Sequence, residues 1–223
     1  MSTLRRTGVL LFVGILVFGI LPGIAAAQID TPGEEATNNL FLLVLVPAIA
    51  IGVLVQVLLV VAIVKFRRRE GHTTPPSNPK THDPTLEAVW TIAPAIILLF
   101  VGLATFQALG VTDVIPENPD VVVTVRGFQW LWEFTVDEGG NTTTTTGEFT
   151  VKVGQTVKLV VVSDNVAHSF WILDFGFKLD AIPGHENVGW FQALNPGDFL
   201  IRCAEFCGVG HPAMVATIHV LPA

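Results

Sequence analysis

Charge is scarce in this chain of 223 residues: 14% are Asp, Glu, Lys or Arg, against about 25% in ordinary soluble domains. The deficit lies mostly in the first half and excludes a wholly soluble protein. It points to membrane spans followed by one modest soluble domain. Cysteine is scarcer still. Two residues, Cys203 and Cys207, cannot build a disulfide framework. A lone Cys203–Cys207 bridge would leave the adjacent Glu205, His211 and Met214 unexplained. Basic residues are few beyond Val111, where thirteen acids face five bases; the preceding portion has six acids and seven bases. An acidic C-terminal half argues against nucleic acid and for a cationic partner, a saline exterior or solvation alone.

The apolar excess falls into three runs. Met1–Ala27 carries Arg5 and Arg6, then an apolar stretch from Val9 to Ile24, then three alanines. That order describes a secretory signal peptide cleaved after Ala27, with a retained first helix as the alternative. Thr31–Asn39 is polar and reads as an exposed leader. Leu40–Val64 has no charge, and 25 such residues exceed the roughly 20 that cross a bilayer. Lys65-Phe-Arg-Arg-Arg69 follows, which by the positive-inside rule puts that end in the cytoplasm. A second span is expected at about 88–110, after a Pro- and Thr-rich loop. Two spans return the chain to the outside, so residues 111–223 are expected to be extracellular or periplasmic.

That remainder reads as β. Val121–Val125, Phe128–Val136, Phe149–Val153, Val157–Val162 and Val215–Leu221 are β-branched or aromatic runs separated by turn clusters, a pattern of sandwiches and barrels. Thr142–Thr146 reads as a solvated hairpin tip. Trp130 and Trp132 alternate and are expected on one strand face.

Both cysteines lie in Cys203-Ala-Glu-Phe-Cys-Gly-Val-Gly-His-Pro-Ala-Met214. Two thiolates, an imidazole and a thioether from one loop are soft donors that select copper. A mononuclear blue site needs one cysteine; two thiolates four residues apart favour a dinuclear centre that they bridge. His168 is the candidate second imidazole, and the Met214 thioether and Glu205 carbonyl the weaker outer ligands. Ligands on loops between short strands describe a cupredoxin.

This loop resembles the CuA motif of subunit II of the haem-copper (cytochrome c) oxidases. Ser163–Phe170 is similar to the family segment with the first histidine ligand, and Asp180-Ala-Ile-Pro-Gly184 to a signature between the ligand segments. Gln129-Trp-Leu-Trp132 resembles the aromatic segment where electrons enter, and Glu87–Ile97 the start of the second membrane helix. Together these span residues 40 to 223. The resemblance implies a two-helix transmembrane hairpin within 28–110, then a cupredoxin-like Greek-key barrel or sandwich over 111–223. It implies a dinuclear CuA centre held by His168, Cys203, Glu205, Cys207, His211 and Met214. Met214 is paired with the His168 copper and the Glu205 carbonyl with the His211 copper. It further implies that the Glu205 carboxylate helps hold magnesium beside subunit I, that Trp130 receives electrons, and that Glu87 lies at a proton-channel mouth. The partners implied are subunit I and a donor, cytochrome c or a small copper protein. Oxygen would be reduced in subunit I, since this chain offers no haem pocket. A nitric oxide reductase subunit and a membrane-tethered copper-binding protein are the alternatives. Phe128, Leu131 and Asn165 depart from the usual histidine, tyrosine and acid, and His185 stands where an arginine is usual. His72 and His82 read as solvated, and His219 as a satisfied strand histidine.

Overall fold

A proline preceded by a capping side chain opens each helix. Thr31 Oγ1 accepts from the Glu34 backbone N–H at 3.0 Å, and Asp83 Oδ1 from that of Leu86 at 3.2 Å. Glu34 and Glu87 reach back to the backbone N–H groups of Asp30 and Asp83, at 2.7 and 3.1 Å. These reciprocal bonds satisfy donors that a helix start leaves free, and proline next to the cap loses no bond it needed. Helix α1 spans Pro32–Phe66 and α2 spans Pro84–Thr112. This computed structural model describes residues 28–67 and 81–223, so the expected signal peptide, His72 and most of the interhelical loop lie outside the described residues. Both helices are long and apolar enough to cross a membrane.

The leader expectation needs correction. Asp30 and Thr31 are buried, and the chain is helical from Pro32 onward. The Leu194 N–H donates to the Asp30 carbonyl at 2.9 Å, and the Asn195 amide donates to the Ile29 carbonyl at 2.9 Å and to Asp30 Oδ1 at 3.0 Å. The polar residues there serve as cap and anchor, which composition alone does not reveal. Accordingly, Ile29–Phe41 belongs with Leu99–Ala223 in one compact unit, while Leu42–Leu98 belongs to another. His82 is exposed, as expected, and its Nδ1 lies 2.7 Å from Glu87 Oε1.

Among the described residues, ten strands form two five-stranded sheets: β1 Val121–Phe128, β2 Leu131–Glu138, β3 Asn141–Thr146, β4 Glu148–Lys152, β5 Thr156–Ser163, β6 His168–Ile172, β7 Phe177–Ala181, β8 Asn187–Gln192, β9 Gly197–Cys203 and β10 Val215–Leu221. One sheet runs β3-β2-β1-β5-β8 and the other β4-β10-β9-β6-β7. The β1–β5 and β4–β10 pairs are parallel and the others antiparallel, giving a cupredoxin-like sandwich. Alternate residues of β1 and β5 are buried, as expected where one sheet face meets the core and the other water. Val123, Val125, Phe134, Leu159, Phe149, Phe170, Ile172, Ile201 and Ile218 fill the space between the sheets.

Two further expectations change. Thr142–Thr146 lies in edge strand β3, and the turn before it is made by Gly139 and Gly140 at positive φ. The run expected at Phe128–Val136 is broken: Phe128 ends β1, Gln129 and Trp130 make the turn, and β2 starts at Leu131. Trp132 is fully buried on β2, but Trp130 belongs to no strand, so the two indoles do not share a strand face.

Candidate metal centre

Strand pairing brings the two ligand segments together before any side chain is considered. Phe170 of β6 pairs with Cys203 at the end of β9, which puts His168, the first residue of β6, beside the loop 204–214. That loop returns to β10, and its ends are pinned by the Cys203 N–H to the Met214 carbonyl at 3.0 Å and the Ala204 N–H to the Ser169 carbonyl at 2.9 Å. A 3₁₀ turn, His211–Ala213, tightens its far side.

Within this frame the six expected donor residues converge. Cys203 Sγ and Cys207 Sγ are 3.7 Å apart, well beyond the ~2.0 Å of a disulfide, and both thiols are free and buried. Cys203 Sγ lies 3.8 Å from His168 Nδ1 and 3.2 Å from the Glu205 carbonyl oxygen. Cys207 Sγ lies 3.6 Å from His211 Nδ1 and 3.8 Å from Met214 Sδ. His168, Cys203 and Cys207 offer donor atoms within 4.8 Å of one another. The donor set fits copper: two thiolates, two imidazole nitrogens and a thioether are soft or borderline, and a thioether is not a zinc ligand.

Burial tunes these groups. The Cys207 thiol is pushed up to about 11, first by burial, then by the hydrogen bond and charge of Cys203. His168 is shifted downward from its ordinary value, first by burial, then by the nearby charge of His211. Its imidazole therefore stays neutral, the form that binds a metal. Trp132 packs against it edge to face, with ring centroids 5.9 Å apart. A Cβ on Gly127 would sit 2.9 Å from the Trp132 ring and 3.2 Å from His168 Cδ2, so glycine there permits the packing.

Trp130 lies over the metal loop. Its Nε1–H donates to the Cys207 carbonyl at 3.1 Å, and a Cβ on Gly210 would come within 2.3 Å of the indole. Glycine is required there because the ring occupies the space. Gln129 donates from Nε2 to the same Cys207 carbonyl at 2.8 Å. Sequence reasoning singled out Trp130 by resemblance but passed over Gln129, because an amide beside an aromatic carries no signal of its own.

The remaining expected residues stand apart from the sulfurs. The Glu205 side chain is exposed. Glu87 caps α2. His185 is exposed. His219 is a satisfied strand histidine, with Nδ1 2.6 Å from Asp198 and Nε2 3.3 Å from Glu148. Those hydrogen bonds, that of Asp198 foremost, raise its pKa.

Comparison with known proteins places both parts of the chain in one family. Residues 23–108 match the family model for the cytochrome c oxidase subunit II transmembrane domain, and residues 135–221 match that for its periplasmic domain. Cytochrome c oxidase subunit 2 of Cereibacter sphaeroides is 31% identical over 217 residues, which cover 81% of this chain and 70% of that one. The corresponding subunit of Alkalihalophilus pseudofirmus is 30% identical, covering 96% of this chain and 64% of the relative. The chain spans between 50% and 73% of the length of these curated relatives. The periplasmic domain of subunit II of the Bradyrhizobium japonicum cytochrome oxidase is 28% identical, covering 49% of this chain and 88% of that one at a TM-score of 0.46. With both family domains matched in order, and the 31% identical relative covered over 70% of its length, the chain belongs to the cytochrome c oxidase subunit II family.

Proposed function

We propose that this chain is the electron-receiving subunit of a haem-copper terminal oxidase. It takes electrons from an external donor at a dinuclear CuA centre and passes them to haem in subunit I, where oxygen reduction is coupled to proton translocation. The observation that carries this reading is the pair of free, buried thiols 3.7 Å apart, flanked by two imidazole Nδ1 atoms and a thioether.

Cys203 and Cys207 would bridge the two metals, and His168 and His211 would each complete one. Met214 would lie on the His168 side and the Glu205 carbonyl on the His211 side. Copper held by these residues would supply one-electron storage shared across both sulfurs, so that little would have to move on reduction. The chain's part is to hold the donors still. The ends of β6 and β9 fix His168 and Cys203, the 3₁₀ turn fixes His211, and Trp130 and Gln129 hold the Cys207 carbonyl from outside. Trp130 is half-buried over this loop, which suits it to meet the donor. The exposed Glu205 carboxylate is assigned to magnesium at the border with subunit I. Lys65 and Arg67 at the end of α1 put that end in the cytoplasm by the positive-inside rule, so the sandwich lies outside the cytoplasm and Glu87, opening α2, faces the cytoplasmic side.

Metal analysis and electron paramagnetic resonance of the copper-loaded full chain test the reading. Two coppers per chain are expected, with the seven-line hyperfine pattern of an electron shared between two copper nuclei. Cys207→Ser is expected to abolish that pattern. One copper per chain with a four-line spectrum, or survival of the shared pattern in the variant, overturns the assignment.

A further inference from the structure

A chain of side-chain hydrogen bonds joins one expected imidazole ligand to the backbone of an expected thiolate ligand. His168 Nε2 lies 3.1 Å from Asn165 Oδ1, Asn165 Nδ2 lies 3.5 Å from Gln129 Oε1, and Gln129 Nε2 lies 2.8 Å from the Cys207 carbonyl oxygen. The direction of every bond is fixed by groups with no freedom to reverse. At one end, the backbone N–H of Val166 donates to the same Asn165 atom at 2.7 Å, so that atom is the amide oxygen and it accepts from His168. At the other end the Cys207 carbonyl only accepts, so Gln129 presents its NH₂ there and its oxygen to Asn165. The two ends constrain the amides independently, and the constraints agree.

We infer that Asn165 and Gln129 are positioning residues that hold His168 as the Nε2–H tautomer. Nδ1, which faces Cys203 Sγ at 3.8 Å, then keeps a free lone pair for metal. The same strap ties the segment carrying His168 to the loop carrying Cys207 through the β1–β2 turn. An imidazole that donates its distal N–H to an oxygen has its orientation and basicity set by that oxygen. A neutral amide at position 165 accepts more weakly than a carboxylate would, so it leaves the ligand less electron-rich and the oxidised site less stabilised.

This inference rests on the copper reading for its purpose but not for its first test, which needs no metal. The full chain, stripped of metal in detergent micelles and labelled with ¹⁵N in its histidine rings, reports the tautomer of His168 by ¹⁵N NMR. The resonances are assigned by difference from His168→Asn. The Nε2–H form is expected in the unsubstituted chain. Asn165→Leu, of similar size but without an acceptor, is expected to shift His168 towards a tautomer mixture. Asn165→Asp is expected to restore the Nε2–H form. Gln129→Leu, which releases the far amide, is expected to give a smaller shift in the same sense. In the copper-loaded chain, Asn165→Asp is expected to lower the midpoint potential, a readout that packing alone would not move. A His168 tautomer unchanged by Asn165→Leu overturns the inference, as does an Nδ1–H tautomer in the unsubstituted chain. Failure to take up two coppers would instead strike the proposed function and leave the tautomer result standing.

Discussion

At the proposed copper site, Cys207 would meet the metal as a protonated thiol. Its pKa is pushed up to about 11 by burial and by Cys203, so metal uptake must expel a proton. Through the neutral range the apparent affinity should then rise about tenfold per pH unit for this one proton. A chelator competition from pH 6 to 9 on the full chain checks the slope, and a flat profile would show that the thiol is already ionised in the metal-free protein. The same shifts set the stability of the metal-free fold. Cys207, raised from its ordinary 9.0, favours the folded state at lower pH and loses that contribution as pH climbs from about 9 towards 11. His168, lowered from 6.5, contributes above 6.5 and loses it as pH falls through its folded value, where a charge must be buried. These two groups together favour the metal-free fold most between about pH 6.5 and 9. His219, whose pKa is raised, contributes below 6.5 and loses that as pH rises. The maximum should therefore show in that window when a His219→Asn chain is thermally unfolded in the presence of chelator.

At the scale of elements, Glu87 caps the start of α2, and a single substitution separates that task from the proton-uptake role proposed for it. Its carboxylate accepts from the Asp83 N–H at 3.1 Å and pairs with His82 at 2.7 Å, so removing the side chain would fray the helix start whatever its role in proton uptake. Glutamine keeps an oxygen for the Asp83 N–H and loses only the charge and the proton. In an assembled oxidase, Glu87→Gln should leave the helix content unchanged, while turnover falls several-fold and its pH profile shifts. Unaltered turnover and pumping across pH would reduce Glu87 to a cap. The elements also show what the sequence exposed and what it hid. β1, β5 and β10 were legible because alternate residues are buried and the buried ones are apolar, Ser163 at the end of β5 excepted. β6 was not, because His168 and Ser169 are buried polar residues, placed for the metal site and not for hydropathy. β3 is five threonines and an asparagine on an exposed edge, and β7 and β8 mix Lys, Asp, Asn and Gly into short segments. The metal loop was legible because its donors are contiguous in sequence. The turn at Gln129–Trp130 lacks the Gly, Asn, Asp or Pro that marks most turns, and so the place of Trp130 outside the strand was hidden.

For the whole molecule, net charge and local charge diverge at the proposed donor surface. The C-terminal half is acidic, but two acids close to the β1–β2 turn share one arginine, which leaves a single uncompensated negative charge there. Arg126 sits 3.2 Å from Asp164 and 3.8 Å from Glu133. What Trp130 has around it is apolar: Val209, between the two glycines under the indole, is 90% exposed, and Leu131 is 48% exposed. Exposed charges act over roughly 8–10 Å at physiological salt, so the distant acids add little to docking once a donor is at this surface. Charge steering of the kind that multiplies association rates by 10–1000 needs an unpaired field at the contact. Reduction of the copper-loaded chain by a soluble copper protein or cytochrome c, followed by stopped flow, should therefore change by less than about tenfold between low and high salt. Val209→Asp should slow it more than salt does, by placing an unpaired charge where an apolar face must be desolvated, while leaving copper content unchanged. A rate that collapses with added salt, together with a Val209→Asp variant as fast as the parent, would move the donor surface away from Trp130 and towards the unpaired acids elsewhere on the sandwich.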